Sequence, residues 1–197
     1  LVADTHTYAA CGRDAETILG ASVASRQIFT GNGVVIPDEA SVAAIEGRIT
    51  PETDLIVGVG SGVINDTCKY VSFYHGLTCG IIGTAPSMDG FASDTAPIIE
   101  NEFKTSWQAR QPMVILADTK ILAKAPVELK SAGFGDMVGK YVGIIDWKVS
   151  SLISGEYYCE KVANMVFDAT AKCIDSSVSL KDRKTDAIKD TIDGLLL

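Results

Sequence analysis

The stretch LIVGVGSGVIND, Leu55–Asp66, decides the fold. Asp54–Val59 is apolar in the manner of a strand buried in a parallel sheet. Its end carries alternating glycines, Gly58, Gly60 and Gly62, and a helix-like segment follows over Asn65–Tyr74. His75-Gly76 closes that helix, with glycine just past the last turn. A strand that ends in glycines and runs into a helix is how proteins hold phosphates. Glycine lets the backbone approach a ligand, and a helix N-terminus offers free N–H groups and a positive dipole end. The spacing here is Gly58-x-Gly60-x-Gly62 rather than G-x-G-x-x-G. No acidic residue ends a following strand about 20 residues on, where the ordinary dinucleotide fingerprint has one. By itself the turn reads equally as a phosphate cradle and as a tight corner without a ligand.

Outward from this turn, strand and helix patterns alternate. Tyr8–Val23 reads as a helix that Gly12 weakens, and GVVIP, Gly33–Pro37, as a short strand ended by proline. Asp38–Ile49 suits a helix: Asp38 can cap it, and Val42, Ile45 and Ile49 recur at helical spacing. LTCGIIGT, Leu77–Thr84, is the next strand. This alternation predicts a doubly wound parallel sheet. Ala96–Glu100 and Phe103–Trp107 then look like a hairpin, and Met113–Ala117 like a further strand. Beyond Pro126 only helices are expected, over Ala132–Tyr158, Glu160–Asp175 and Lys181–Leu197. The chain is therefore expected to divide into an α/β domain, residues 1–122, and the first part of an all-helical one, residues 123–197.

With 197 residues, 47% hydrophobic and 21% charged, the composition is that of a globular protein with a sizeable core. The net charge of −8 argues against a nucleic-acid partner or an anionic membrane surface. The five cysteines, Cys11, Cys68, Cys79, Cys159 and Cys173, are odd in number and form no CxxC pair. They argue against a disulfide framework and read as reduced, mostly buried thiols of a cytoplasmic protein. No apolar run reaches the roughly 18 residues of a membrane span, and no secretory signal is visible. The first residue is leucine and LVAD reads as a strand end, so the chain is expected to be a fragment lacking its start.

Two further stretches carry chemistry. GTAPSMDGFAS, Gly83–Ser93, follows the next strand and should lie at the same carboxyl edge, where open α/β sheets bind ligands. It is either a plain surface loop or, with Thr84, Ser87, Asp89 and Ser93, the wall of a cleft. In AGFGDMVGKY, Ala132–Tyr141, Asp136 sits just inside a long helical run. It reads as a carboxylate favoured by the helix dipole, as an i,i+4 partner of Lys140, or as a paired or metal-bound group.

Together, in this order, these stretches resemble the sn-glycerol-1-phosphate dehydrogenases of the iron-containing alcohol dehydrogenase and dehydroquinate synthase superfamily. The matching residues are VADTHTYAACG (Val2–Gly12), GVGSGVINDTCKY (Gly58–Tyr70), GTAPSMDGFAS (Gly83–Ser93), APVELKSAGFGDMVGKY (Ala125–Tyr141), DWKVS (Asp146–Ser150) and GEYYCE (Gly155–Glu160). The resemblance implies a Rossmann-like parallel sheet for NAD or NADP, then a helical domain, with the site between them. The implied reaction reduces dihydroxyacetone phosphate to sn-glycerol 1-phosphate. Carried over by motif, Gly60, Ser61, Gly62, Val63 and Ile64 would bind the pyrophosphate. Thr84, Ala85, Pro86, Ser87 and Ser93 would line the nicotinamide side. Asp4 would accept from the adenosine ribose, and a carboxylate there would repel a 2′-phosphate, which favours NAD over NADP. Asp89 would touch the substrate. Asp136 would be a metal ligand and a substrate contact. Gly60→Val is expected to block cofactor binding while leaving the fold.

The resemblance also implies a divalent metal, zinc in most members, nickel in some and iron in relatives, which polarises the substrate carbonyl. It implies two histidine ligands as well, and these would fall after Leu197. The histidines present, His6 and His75, stand in an N-terminal loop and at a helix C-terminus and read as structural. A homo-oligomer is implied too. The helical part should then expose apolar contacts that a complete domain would bury. The alternatives on the same scaffold are a glycerol dehydrogenase and a dehydroquinate-synthase-like lyase that uses and regenerates NAD. Outside enzymes, the alternative is a nucleotide-binding protein with a lapsed site.

Overall fold

A computed structural model describes residues 1–31, 34–182 and 184–197. In chain order, β1 is Val2–Asp4, and α1 (Thr5–Thr7) passes through a π turn, Tyr8–Gly12, into α2 (Arg13–Leu19). Then come β2 (Gln27–Phe29), α3 (Glu39–Glu46), β3 (Leu55–Gly60), α4 (Gly62–Tyr74) and β4 (Thr78–Gly83). The hairpin β5 (Thr95–Glu100) and β6 (Phe103–Gln108) precedes β7 (Val114–Leu116) and α5 (Thr119–Leu122). The rest is helical: α6 (Val127–Ser154), α7 (Glu160–Asp175), α8 (Ser177–Lys181) and α9 (Thr185–Leu195).

Five strands pair in parallel in the order β2-β1-β3-β4-β7, as the strand–helix alternation predicts. The direction of strand addition reverses between β1 and β3. Such a switch point opens a crevice at the carboxyl ends of its strands. Gly60 at the end of β3 pairs with Gly83 at the end of β4, so both polar loops leave the sheet side by side. A continuous buried cluster runs from Ile81 and Cys68 through Ile64, Phe91 and Leu122 to Met137 and Ile188, joining sheet to helices. α6 meets the β4 loop so closely that a Cβ on Gly133 would lie 1.9 Å from the Pro86 carbonyl oxygen.

Several boundaries differ from expectation. The strand expected at Gly33–Pro37 is not formed by Val34–Pro37, and Gly33 lies outside the described residues. Gln27–Phe29 takes the place beside β1, with the Gln27 N–H donating to the Leu1 carbonyl at 2.9 Å. The first helix starts at Thr5 rather than Tyr8, because Asp4 caps it. α4 starts at Gly62, not Asn65, leaving Ser61 alone as the corner. α6 begins at Val127 rather than Ala132 and stops at Ser154, where Gly155 takes φ 73°. Of the segment expected as one helix over Lys181–Leu197, Lys181 ends α8 and Thr185–Leu195 forms α9. Asp38 caps α3 as expected, in a reciprocal pair with Ser41. α6 leaves Val142 and Leu152 exposed, 62% and 76%. All five cysteines are free thiols, and burial pushes the Cys79 thiol up to about 11.

Candidate active site

At the switch point lies a cavity of about 1110 Å³. Asp4 from the end of β1, Ser61, Gly62, Val63 and Ile64 from the β3–α4 corner, and Thr84, Ala85, Ser87 and Met88 from the β4 loop line it. Pro126, Leu129 and Ala132 close it from the helical side. A second cavity, at the amino edge of the sheet, is only about 150 Å³.

The corner presents uncapped helix N-terminal donors, a chemistry that suits an anion. Ser61 makes no side-chain cap, and the first N–H to bond back is that of Asn65, which donates to the Ser61 carbonyl at 2.9 Å. The N–H groups of Gly62, Val63 and Ile64 precede the first intrahelical bond and stand at the positive end of the helix dipole. The three glycines are not equivalent. A Cβ on Gly58 would lie 2.9 Å from Ile81 Cδ1, and one on Gly60 would lie 2.6 Å from Ile64 Cβ. Gly60 lets α4 pack onto β3, and Gly58 makes room both for Ile81 of β4 and for Cys68 of α4, whose Sγ would lie 3.0 Å from its Cβ. A Cβ on Gly62 would meet only Met88 Sδ, at an ordinary 3.6 Å. Of the three glycines, Gly62 is the one whose Cβ position is left clear beside the cavity. This donor set and cavity fit a dinucleotide pyrophosphate.

Asp4 Oδ1 accepts the N–H groups of His6 (2.7 Å) and Thr7 (2.8 Å). One oxygen of that carboxylate is therefore committed to capping α1. The β4 loop starts by extending the sheet, with the Thr84 N–H donating to the Gly60 carbonyl at 3.0 Å. Pro86 turns its carbonyl to Gly133 and does not line the cavity. Nor does Ser93, whose hydroxyl accepts from the buried Lys69 at 2.9 Å.

Asp89 and Asp136, 47 residues apart, are brought together beside the cavity rather than in its lining. The Asp89 N–H donates to Asp136 Oδ2 at 3.2 Å. Lys140 pairs with Asp89, not with Asp136 one helical turn away. Asp136 lies ten residues into α6 and is exposed, so neither an N-terminal dipole nor burial explains it. His6 is exposed in the first turn of α1, and His75 Nε2 lies 2.9 Å from Glu46 Oε1. Among the described residues no three His, Cys, Asp or Glu side chains group as metal ligands. The residues present do not by themselves hold a metal. Sequence reasoning missed Met88, which faces Gly62, and the helical lining residues Leu129 and Ala132, since apolar residues signal no site. It also missed Lys69, hidden inside a helix pattern.

Residues 1–126 match the iron-containing alcohol dehydrogenase family. The chain is 36% identical over 188 residues to a protein of Bacillus velezensis named glycerol-1-phosphate dehydrogenase [NAD(P)+], covering 91% of this chain and 47% of that one. It is 35% identical to the protein of the same name from Bacillus subtilis, over 100% of this chain and 51% of the other. The chain thus spans about half the length of these curated relatives. Among solved structures, glycerol dehydrogenase from Schizosaccharomyces pombe superposes with a TM-score of 0.76 at 18% identity, over 98% of this chain and 51% of that one, a likeness of fold. With its parallel sheet, its corner and two thirds of its length in that pattern, the chain belongs to the iron-containing alcohol dehydrogenase family.

Proposed function

We propose that the protein is a metal-dependent, NAD(P)-linked oxidoreductase that interconverts dihydroxyacetone phosphate and sn-glycerol 1-phosphate. One observation carries this: the uncapped first turn of α4 opens, at the switch point, into a cavity large enough for a dinucleotide. The names of the relatives support the substrate.

In this proposal the N–H groups of Gly62, Val63 and Ile64 donate to the pyrophosphate, with Gly60 and Ser61 shaping the corner. Thr84, Ala85 and Ser87 line the nicotinamide side, and Pro86 fixes that loop against α6. Asp4 takes the adenosine ribose through the oxygen that does not cap α1, and its charge favours NADH over NADPH. Asp89 contacts the substrate. Asp136 touches it as well and is our candidate metal ligand, with the other ligands supplied from outside this chain. A nicotinamide held there would supply the hydride that reduces the substrate carbonyl. Residues 1–122 form the cofactor domain, and 123–197 begin the helical one. A cytoplasmic homo-oligomer with reduced thiols and a zinc ion, serving phospholipid synthesis, completes the proposal.

The test uses the full-length protein loaded with zinc. Oxidation of NADH and NADPH is followed with dihydroxyacetone phosphate and, separately, with dihydroxyacetone. Turnover with the phosphate alone is expected, faster with NADH. Turnover with only the unphosphorylated ketone would make the protein a glycerol dehydrogenase. No turnover with either would point to the lyase or to a lapsed enzyme.

A further inference from the structure

Lys69 lies in the middle of α4 with its side chain wholly buried. A lysine ammonium is costly to bury unless its charge is paired and its three donors are used. Here its Nζ donates to the carbonyl oxygens of Gly90 and Thr95, each at 2.8 Å, and to Ser93 Oγ at 2.9 Å. Asp66 Oδ1 lies 3.2 Å away and balances the charge. The Asn65 side-chain amide reinforces the arrangement, donating to the Gly90 carbonyl at 3.2 Å and to Asp66 at 3.1 Å.

Apart from Asp66, every acceptor of the ammonium lies in Gly90–Thr95, the segment that joins the β4 loop to the hairpin. Gly90 follows Asp89 directly. Neither Lys69 nor Ser93 lines the cavity. A methionine would fill much the same space with no charge to bury, so packing alone does not ask for an ammonium here. What the ammonium adds is a fixed position for three polar groups of one loop.

We propose that Lys69 is a positioning residue: by holding Gly90, Ser93 and Thr95 it sets where Asp89 stands against Lys140 and Asp136. Ser93 then serves the reaction as a partner of Lys69 rather than as a wall of the cofactor cavity. The inference rests on the oxidoreductase proposal and extends it to a residue that touches neither cofactor nor substrate.

The test compares full-length wild type, Lys69→Met and Ser93→Ala by hydrogen–deuterium exchange, NADH titration and steady-state kinetics. In Lys69→Met, exchange should rise over residues 86–95 and stay unchanged in β3. NADH affinity should stay within about twofold while kcat/KM for the ketone falls roughly tenfold or more, as misplacement of a reacting geometry costs. Ser93→Ala should repeat this pattern in milder form. Unchanged exchange over 86–95, or an unchanged kcat/KM, overturns the inference. So does a loss of NADH affinity in Ser93→Ala, which would return Ser93 to the cofactor cavity. If Lys69→Met does not fold, Ser93→Ala decides by the same three measurements. If wild type reduces no ketone, the functional proposal falls, and the exchange pattern alone decides whether Lys69 holds the loop.

Discussion

Gly60 and Gly62 stand on either side of Ser61, and the fold needs them for opposite reasons. At Gly60 a side chain would strike Ile64, a fully packed neighbour within the protein. At Gly62 a side chain would meet ordinary contact with Met88 and face the cavity. The first glycine is required by packing, and the second opens onto the cavity, where our proposal seats the pyrophosphate. The difference teaches that a glycine-rich corner is not a uniform phosphate loop. Each missing Cβ has its own neighbour, and only that neighbour tells which glycine reports on binding. Gly60→Val, taken from the sequence as a clean block on cofactor binding, is therefore the wrong probe.

The largest effect should come from another packing glycine. Gly133→Val drives a side chain into the Pro86 carbonyl, which is backbone and cannot swing aside. It should cost about 3 kcal/mol of stability by urea unfolding, at the upper end for overpacking. A stability loss near zero would show that the two halves separate easily at this contact. Gly60→Val comes next, at about 2 kcal/mol, because Ile64 can yield partly. If it unfolded no more easily than wild type while NADH binding was lost, the distinction between the two glycines would collapse. Asp38→Ala removes a helix cap made to the Ser41 N–H at 2.9 Å. It should cost about 1 kcal/mol in the same assay, a scale for local effects without overpacking.

The smallest effect is one of pH. The Tyr8 hydroxyl donates to Glu16 and, with Arg26, holds that carboxyl below its ordinary value of 4.5. A depressed folded-state value gives stability that is present above 4.5 and lost as pH falls through the lower folded value. Tyr8→Phe should therefore lower the melting temperature slightly at neutral pH, with the difference closing in acid. A gap that persisted in acid would mean that the hydroxyl stabilises the fold through a hydrogen bond that does not depend on the charge of Glu16.

What the sequence made legible follows the same division between local pattern and tertiary neighbour. β3, β4, β7 and the hairpin were legible because strand runs bounded by turn residues announce themselves. The three residues of β2 were not: QIF is too short to compete with the more apolar VVI, whose Val34 is 87% exposed. α6 hid its first turn because its N-cap, Pro126, carries no side-chain cap to mark the start. Asp4, the corner and part of the β4 loop line the cavity; the corner and the loop stood out by residue type and order, Asp4 only through the resemblance. Pairings were not legible. Lys140 looks made for Asp136 four residues away, but the fold gives it to Asp89 in the β4 loop. Ser93 looks like a ligand hydroxyl, but a buried lysine on another element claims it. Local spacing does not carry such long-range partners.

The central claim is that the open corner at Gly62 holds the cofactor's pyrophosphate. Calorimetric titration of NADH into the full-length wild type and Gly62→Val, with melting temperatures measured alongside, tests it most directly. The account predicts that Gly62→Val binds NADH at least about tenfold more weakly, a loss of about 1.4 kcal/mol, with a melting temperature close to wild type. Equal affinity in the two proteins would contradict it.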